Sequence, residues 1–339
     1  MRVLRWMTIA IAGLLGLVVL LVVSLLLLSD RPAVRAAIRP RLEALLSKTL
    51  RLDVRIDDIA GLTLWKGVRA TGVSLSHDGE PLITADALHV RVGLVRALPP
   101  LVSIRAEGEG VAVDLAKERD GEWNLVRAFA SENEEKSPPP PWLDAIDVIL
   151  HQGRLRVRGV AEQPLDLSAI DGEAVVVLGD PGRLTVKQLT ARLGDASQLA
   201  ANGWLDLGAP SALEVQLDAR PLAATALKAL VPQLADGAML TGSAQVTGSL
   251  DAPTTELHLA SGAATIDVWA KLAEVSAGRH LTASWQTLAL DPSQFVADAP
   301  PASVSGAGNV DTVLGEAWPS ALAADVRLWS TSVAGAAAD

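Results

Sequence analysis

Residues 240–262 read LTGSAQVTGSLDAPTTELHLASG, a stretch in which apolar and polar side chains alternate, stop at Asp-Ala-Pro, and then alternate again. Alternation with a period of two indicates a β-strand that has one apolar and one polar face. Proline lacks a backbone donor and favours turns, so the interruption at 251–253 separates two strands. The stretch therefore predicts consecutive antiparallel strands, and it contains no nucleophile with a base and no pair of metal ligands.

The same alternation begins at Arg51 and recurs along the chain. Asp-Gly pairs in HDGE at 77–80, RDGE at 119–122 and IDGE at 170–173 lie between alternating runs, and this dipeptide is typical of tight hairpins. These patterns predict a mainly β protein with a largely antiparallel sheet.

The N-terminal segment is apolar, and residues 7–28 contain no charged side chain. This length is sufficient for a helix to span a hydrocarbon core of about 30 Å. A cleaved signal peptide is the competing interpretation, but its apolar region would be only about 7–15 residues long and would precede a small-residue cleavage site. We expect residues 1–29 to be an uncleaved transmembrane anchor. Arginines flank it on both sides, so charge alone does not determine its orientation.

Residues 30–50 are typical of a juxtamembrane amphipathic helix, with Asp30 as a candidate N-cap. The helix could lie on the membrane surface, plug the end of the next domain, or act as a linker packed on a core. Pro40 would kink or split it. The residues that can share its apolar face are Val34, Ile38, Leu42, Leu45 and Leu46.

Two interruptions divide the β region. The first begins as a short helix after Gly121 and becomes a charged, Pro-rich loop at 131–141, where consecutive prolines cannot join a sheet. The second, at 221–234, is typical of a short helix that ends near Pro232. The predicted organisation is a first β block at 51–130 with one short helix, the loop at 131–141, and further β repeats at 142–339.

Composition and motifs exclude several functions. The net charge of -10 argues against a nucleic-acid partner. The chain has no cysteine, and none of its five histidines lies within four residues of another, so local zinc motifs are missing. SGAGNV at 305–310 lacks the third glycine of a dinucleotide fingerprint and predicts a turn instead. We therefore expect no enzyme activity, no cofactor and no metal site.

Three segments resemble the AsmA family, including its TamB-like members, and they follow the predicted anchor in the family's order. Residues 47–75 resemble its opening strands. Residues 81–125 resemble the next block, which ends in a DGxWN-like element at 120–124. Residues 240–262 are similar to the strand-turn repeat of TamB-like chains.

The resemblance implies a periplasmic protein that residues 7–28 hold in the inner membrane. It also implies a curved sheet forming an open, taco-shaped groove, which carries phospholipid between membranes or supports outer-membrane biogenesis with an outer-membrane assembly protein as possible partner. The alternative is a self-packed β scaffold or assembly factor for outer-membrane or secreted proteins, without lipid cargo. Alternation selects nine candidate groove-lining residues: Val90, Val92, Leu155, Val157, Val215, Leu217, Val246, Leu257 and Leu259.

Overall fold

The computed structural model describes residues 32–63, 67–97, 100–118, 121–129, 142–161, 163–179, 182–208, 211–223, 228, 239–275, 278–294, 299–314, 319–333 and 336–338. The predicted anchor at 1–29, the candidate N-cap Asp30 and the predicted loop at 131–141 lie outside these residues. Within the described ranges, no helix is both long enough and apolar enough to cross a membrane.

The described chain is mainly β, as the alternation predicts, and its strands belong to one sheet. Two helices accompany the sheet, α1 (Pro32–Leu50) and α2 (Asn124–Phe129), together with a single 3-10 turn at Pro292–Gln294. The strands are β1 (Asp53–Thr63), β2 (Gly67–His77), β3 (Glu80–Ala97), β4 (Pro100–Glu109), β5 (Ala112–Ala116), β6 (Leu143–Arg158), β7 (Leu165–Val177), β8 (Arg183–Leu193), β9 (Ser197–Asp206), β10 (Ala212–Ala223), β11 (Met239–Ser249), β12 (Ala252–Ser261), β13 (Ala264–Val275), β14 (Gly278–Leu290), β15 (Ala302–Leu314), β16 (Pro319–Val333) and β17 (Ala336–Ala338).

The chain forms two compact units, unit 1 (Met1–Leu189) and unit 2 (Thr190–Asp339). In unit 2, each strand from β9 to β17 pairs antiparallel with the next strand along the chain. The stretch 240–262 forms most of β11 and β12 with a turn at 250–251, which confirms the predicted strand pair.

Unit 1 departs from a purely antiparallel order. Strands β1 to β4 form antiparallel pairs, but β4 and β5 both pair with β6 in parallel. The break between β4 and β5 falls at Gly110, where φ is +62° and a Cβ would collide with the Asp86 carboxylate. Glycine is required at this position because other residues rarely adopt that conformation.

Helix α1 covers the edge of β1 that faces away from β2. Its Ser47 Oγ accepts a hydrogen bond from the Val54 N–H at 2.9 Å, and Glu43 Oε1 accepts one from the Ile56 N–H at 2.8 Å. Positions four apart share one side of a helix, and alternate strand residues direct their N–H groups to one edge. The helix thereby satisfies backbone donors that would otherwise template a foreign strand.

The apolar side of α1 packs on the core of unit 1, where Leu46 and Leu50 are buried in one cluster with residues of β1 such as Val54. Of the predicted apolar stripe, Leu45 is exposed, so its assignment to the buried side is wrong. Pro40 lies inside the helix without ending it, so the helix is not split there.

The short helix predicted after Gly121 is confirmed as α2. Its first residue, Asn124, is buried and uses its side-chain oxygen to accept hydrogen bonds from the N–H groups of Ala116 at 2.9 Å and Leu125 at 2.7 Å. Its amide nitrogen donates to the Asp114 carbonyl at 2.9 Å. Asn124 thus satisfies an N–H of the first helical turn and ties the helix to β5, while Leu125 joins the core.

Several predicted turns and one helix boundary need correction. Asp78 and Gly79 do form the hairpin between β2 and β3, both with positive φ. The pair at 171–172 lies inside β7, and the motif at 305–310 lies inside β15, so neither is a turn. The predicted helix at 221–234 does not begin at its first residue, because 221–223 end strand β10. Apart from residue 228, the remainder lies outside the described chain.

The two misassigned glycine motifs share a physical cause. A Cβ at Gly172 would lie 2.7 Å from Leu189 Cδ1 and 2.9 Å from the Gln188 carbonyl oxygen. Glycine in a strand permits such close approach of a neighbouring backbone. A glycine-containing motif of this kind has the same residues as a turn, so the sequence alone does not distinguish the two.

Candidate functional site

Five of the nine candidate residues lie together on one face of unit 2. Val215 on β10 is directly opposite Val246 on β11. Leu217 is opposite Ala244, which is in turn opposite Leu257 on β12. Directly opposed residues, and residues two apart in one strand, point to the same side of a sheet. Leu259, two residues beyond Leu257, therefore shares this side.

The register extends these residues into three rows that cross seven strands, from β10 to β16. The central row passes through the two leucines, and one row flanks it on each side. We call these three rows the apolar face. The central row is Leu217, Ala244, Leu257, Val268, Trp285, Gly308 and Val326; the flanking rows are Val215, Val246, Thr255, Ala270, Ala283, Val310 and Ala324, and Ala219, Gly242, Leu259, Ile266, Thr287, Gly306 and Leu328.

Much of the apolar face is accessible. Val215 is 39% exposed and Leu217 is 41% exposed, while Val246, Leu257 and Leu259 are half-buried. The hydrophobic cluster that the buried residues form lies in unit 1, and no described residue of unit 2 belongs to it. The apolar face of unit 2 is therefore partly open: Val215 and Leu217 are exposed, whereas Ala219 and Thr287 are buried.

Two of the four candidates in unit 1 lie in a more deeply buried part of the sheet than the candidates of unit 2. Val90 is opposite Ala106 and is only 5% exposed. The next row places Val92 opposite Ile104, which is opposite Ile146, and both isoleucines are fully buried. The structure therefore brings Val90 and Val92 into a packed region.

The other two unit 1 candidates pair with the short strand β5. Leu155 is opposite Val113 and Val157 is opposite Leu115, in the parallel ladder between β5 and β6. Both candidates are half-buried. Leu155 and Val157 lie on β6, whereas Val90 and Val92 lie on β3. The structure therefore does not bring all nine candidate residues together on one surface.

The reverse side of the apolar face contains an open depression of about 720 Å³. It is lined by residues that alternate with the central row and are mostly amides and acids, and members of the central row lie beneath them. Trp269 is an exposed aromatic side chain within it. The lining residues of the reverse side are Gln216, Asp218, Ser243, Gln245, Glu256, His258, Asp267, Trp269, Ser284, Gln286, Ala307, Asn309, Asp325 and Arg327.

The depression was not anticipated from the sequence, although its signal is the polar half of each alternating run. Its histidine is paired, because His258 Nδ1 lies 2.6 Å from Asp267 Oδ1 directly across the β12–β13 ladder. Amides and carboxylates offer hydrogen bonds rather than apolar contact. This surface can hold polar groups, whereas the apolar face can hold hydrocarbon.

A charged cluster marks the polar side of unit 1. Glu107 lies 3.0 Å from Arg105 Nε through one carboxylate oxygen and 3.7 Å from Arg91 through the other. Burial raises the pKa of Glu107, but the hydrogen bond from Arg105 outweighs it together with the nearby positive charges, so the pKa is lowered. On β7, the hydrogen bond from Lys187 likewise lowers the pKa of Glu173. Both clusters join neighbouring strands.

Comparisons of the chain with protein-family models, with curated proteins and with solved structures found no match. The functional assignment therefore depends on the two faces of unit 2 and on the chemistry that each face can support.

Proposed function

We propose that this chain is an inner-membrane-anchored periplasmic protein of the AsmA type whose β-sheet binds phospholipid. It carries lipid between membranes or supports outer-membrane biogenesis through that contact. The observation that supports the proposal is the apolar face, whose three rows cross seven strands and include Val215 and Leu217, each about two-fifths exposed.

The dimensions of the apolar face suit acyl chains. Six inter-strand steps of about 4.8 Å and three rows about 7 Å apart give roughly 29 Å by 14 Å. That footprint, roughly 400 Å², is in the size range of the largest apolar patch on a typical monomer, and such patches are often functional. Exposing two sixteen-carbon chains to water costs about 25 kcal/mol, so an apolar surface lowers the barrier to moving them.

Small residues occupy several positions in two rows of the apolar face. Ala244 and Gly308 lie in the central row, and Gly242 and Gly306 lie in a flanking row. The side chain of Leu259 lies across Gly242, where a Cβ would be 2.7 Å from its Cδ2. Hydrocarbon can therefore contact leucine that is packed over glycine backbone. The lining of the depression on the reverse side is mostly amides and acids, which offer acyl chains fewer apolar contacts, so we assign the chains to the apolar face.

A self-packed scaffold or assembly factor without lipid cargo is the second candidate, and one observation favours it. Ile104 and Ile146 are fully buried, so part of unit 1 fills its own apolar side. A scaffold would require the apolar face of unit 2 to be covered by protein rather than by lipid.

Site-specific photocrosslinking in cells separates these candidates. A photoreactive phenylalanine analogue replaces Leu257 on the apolar face of the full chain, and a matched variant replaces its neighbour Glu256 on the reverse side. After irradiation, mass spectrometry of the purified protein identifies the adducts. We expect phospholipid on the Leu257 variant and little on the Glu256 variant. Protein adducts at 257 without lipid would contradict lipid binding and support the scaffold.

A further inference from the structure

One further apolar row lies beside the apolar face, toward the C-terminal end of β13. Leu272 follows Ala270 by two residues on β13 and is directly opposite Leu281 on β14. Both leucines are half-buried. Alternate residues of a strand point to one side of the sheet, so this row is on the same side as the apolar face. Hydrocarbon bound to the apolar face can therefore extend along the strands as far as Leu272.

The next row on this side of the sheet is charged. Glu274 on β13 lies directly opposite Arg279 on β14, and both side chains are exposed. The alternation that directs Leu272 to the apolar side also directs these two charges to it. Among the residues that the structure describes, neither of the two side chains forms an ion pair or a hydrogen bond. A carboxylate and a guanidinium at the border of the apolar side are therefore both available to a ligand.

The other end of β13 and β14 is uncharged on this side. Ala264, the first residue of β13, is buried and faces Ser261 on β12. Thr287 on β14 is also buried and faces Ile266 on β13. Along these two strands, the apolar side thus has a charged end and an uncharged end, which is the polarity of a phospholipid.

We propose that Glu274 and Arg279 bind the headgroup of a zwitterionic phospholipid, with its phosphate on Arg279 and its ammonium group on Glu274. The inference rests on the proposed function of the apolar face. A guanidinium donates paired hydrogen bonds to phosphate oxygens, and a carboxylate accepts hydrogen bonds from an ammonium group. Only two carbons separate these groups in an ethanolamine headgroup, and directly opposed side chains have Cβ atoms about 4.5–5.5 Å apart.

The length of the apolar side suits a lipid in this orientation. At about 3.3 Å per residue, β13 extends about 20 Å from Leu272 to Ile266. One acyl chain spans half of a bilayer core of about 30 Å, which is about 15 Å. With the headgroup at Glu274, the chains fit between Leu272 and Ile266. Their ends then approach Val268, which is directly opposite Leu257.

Photocrosslinking from position 257 tests the headgroup site, because this position samples the acyl chains about 20 Å from the two charges. The purified full chain, with the photoreactive analogue at 257, is incubated with vesicles of equal phosphatidylethanolamine and phosphatidylglycerol. Mass spectrometry measures both adducts. We expect at least threefold more phosphatidylethanolamine adduct. Glu274→Gln should abolish this preference without lowering the total yield, whereas Glu256→Gln on the reverse side should preserve it.

Arg279→Gln should reduce both adducts at least threefold, because both lipids carry a phosphate. Arg279→Lys should restore at least half of the yield, which separates loss of charge from misfolding. Lys271→Gln removes a positive charge from the reverse side of β13 and should leave the yield unchanged.

Three results would overturn the headgroup site while lipid binding by the apolar face stands. They are equal adducts of the two lipids, a preference that survives Glu274→Gln, and equal yields from Arg279→Gln and Lys271→Gln. Absence of any lipid adduct at 257 would instead overturn the proposed function together with the headgroup site.

Discussion

At the scale of single residues, glycines shape the apolar face by what they leave out. A Cβ at Gly308 would lie 2.7 Å from Trp285 Nε1 and 2.7 Å from the Asp325 carbonyl oxygen. The indole therefore lies across a position that only glycine can occupy without displacement. Contacts this short cannot be relieved by moving the far end of a flexible chain, because one partner is backbone.

We predict that Gly308→Val lowers the free energy of unfolding by about 1–3 kcal/mol, because overpacking forces Trp285 out of its position. Urea denaturation followed by tryptophan fluorescence measures the change. Gly179 is the matched control, since a Cβ at that position would have no heavy atom within 4 Å. Equal destabilisation by Gly179→Val would show that the effect does not arise at Trp285.

The Glu107 cluster gives a prediction with a defined sign. Its pKa is lowered in the folded protein, so its contribution to stability is complete above the unfolded value and is lost as pH falls through the folded value. Glu107→Gln should lower the free energy of unfolding at pH 7 by less than about 1 kcal/mol, since the group is partly exposed.

The difference between wild type and Glu107→Gln should shrink as the pH is lowered below 4.5, the ordinary value for this carboxyl. Denaturation curves at several pH values measure it. Glu256→Gln on unit 2 is the matched substitution outside the cluster. A difference that grows toward acid pH would have the wrong sign for a stabilising carboxylate.

The alternation of residues predicted which side of the sheet a side chain faces better than it predicted how deeply that side chain is buried. Val90 and Val215 both follow the same period-two pattern, yet the first is packed and the second is open. A strand pattern records which side a residue points to, but the covering layer comes from residues distant in sequence. The separation of the nine candidates into packed and accessible groups could therefore not be predicted.

At the scale of elements, α1 protects a sheet edge through two side-chain acceptors. We predict that Glu43→Ala with Ser47→Ala lowers the free energy of unfolding by about 2–5 kcal/mol, because two partly buried N–H groups of β1 lose their partners. Thermal unfolding of the full chain measures this loss. Arg41→Ala, at an exposed position of the same helix, should have little effect. Equal losses in both variants would contradict the edge-capping role.

Elements with local signals were predictable, and those decided by distant contacts were not. Helix α2, the hairpin at Asp78–Gly79 and the strand pair at 240–262 all follow from their own residues. The glycines at 172 and 308 lie within strands because neighbouring strands approach them closely. The parallel pairing of β4 with β6 likewise depends on residues that are far apart in the sequence.

At the scale of the whole molecule, lipid binding should depend on one face of unit 2. We predict that Leu217→Glu with Leu257→Glu reduces lipid crosslinking from Val246 at least tenfold, because acyl chains cannot solvate carboxylates. The matched variant, Gln216→Glu with Gln245→Glu, places the same charges on the reverse side and should retain crosslinking. Both pairs lie on partly exposed positions, so we expect both proteins to fold.

Retention of lipid by the Leu217 and Leu257 variant would show that the apolar face is not the binding surface. Loss of lipid in both variants, with circular dichroism unchanged, would indicate a general effect of negative charge.

The meander of unit 2 also bears on how the chain is made. From β9 to β17, each strand pairs with the one synthesised just before it, so most contacts close short loops. Short loops carry a low entropic cost and favour rapid formation. Unit 2 can therefore assemble vectorially, adding one strand at a time as synthesis delivers it, and the growing edge moves toward the C-terminus. Nascent chains would expose only a single unpaired strand at any moment, which limits the time available for misassembly with other unfolded proteins.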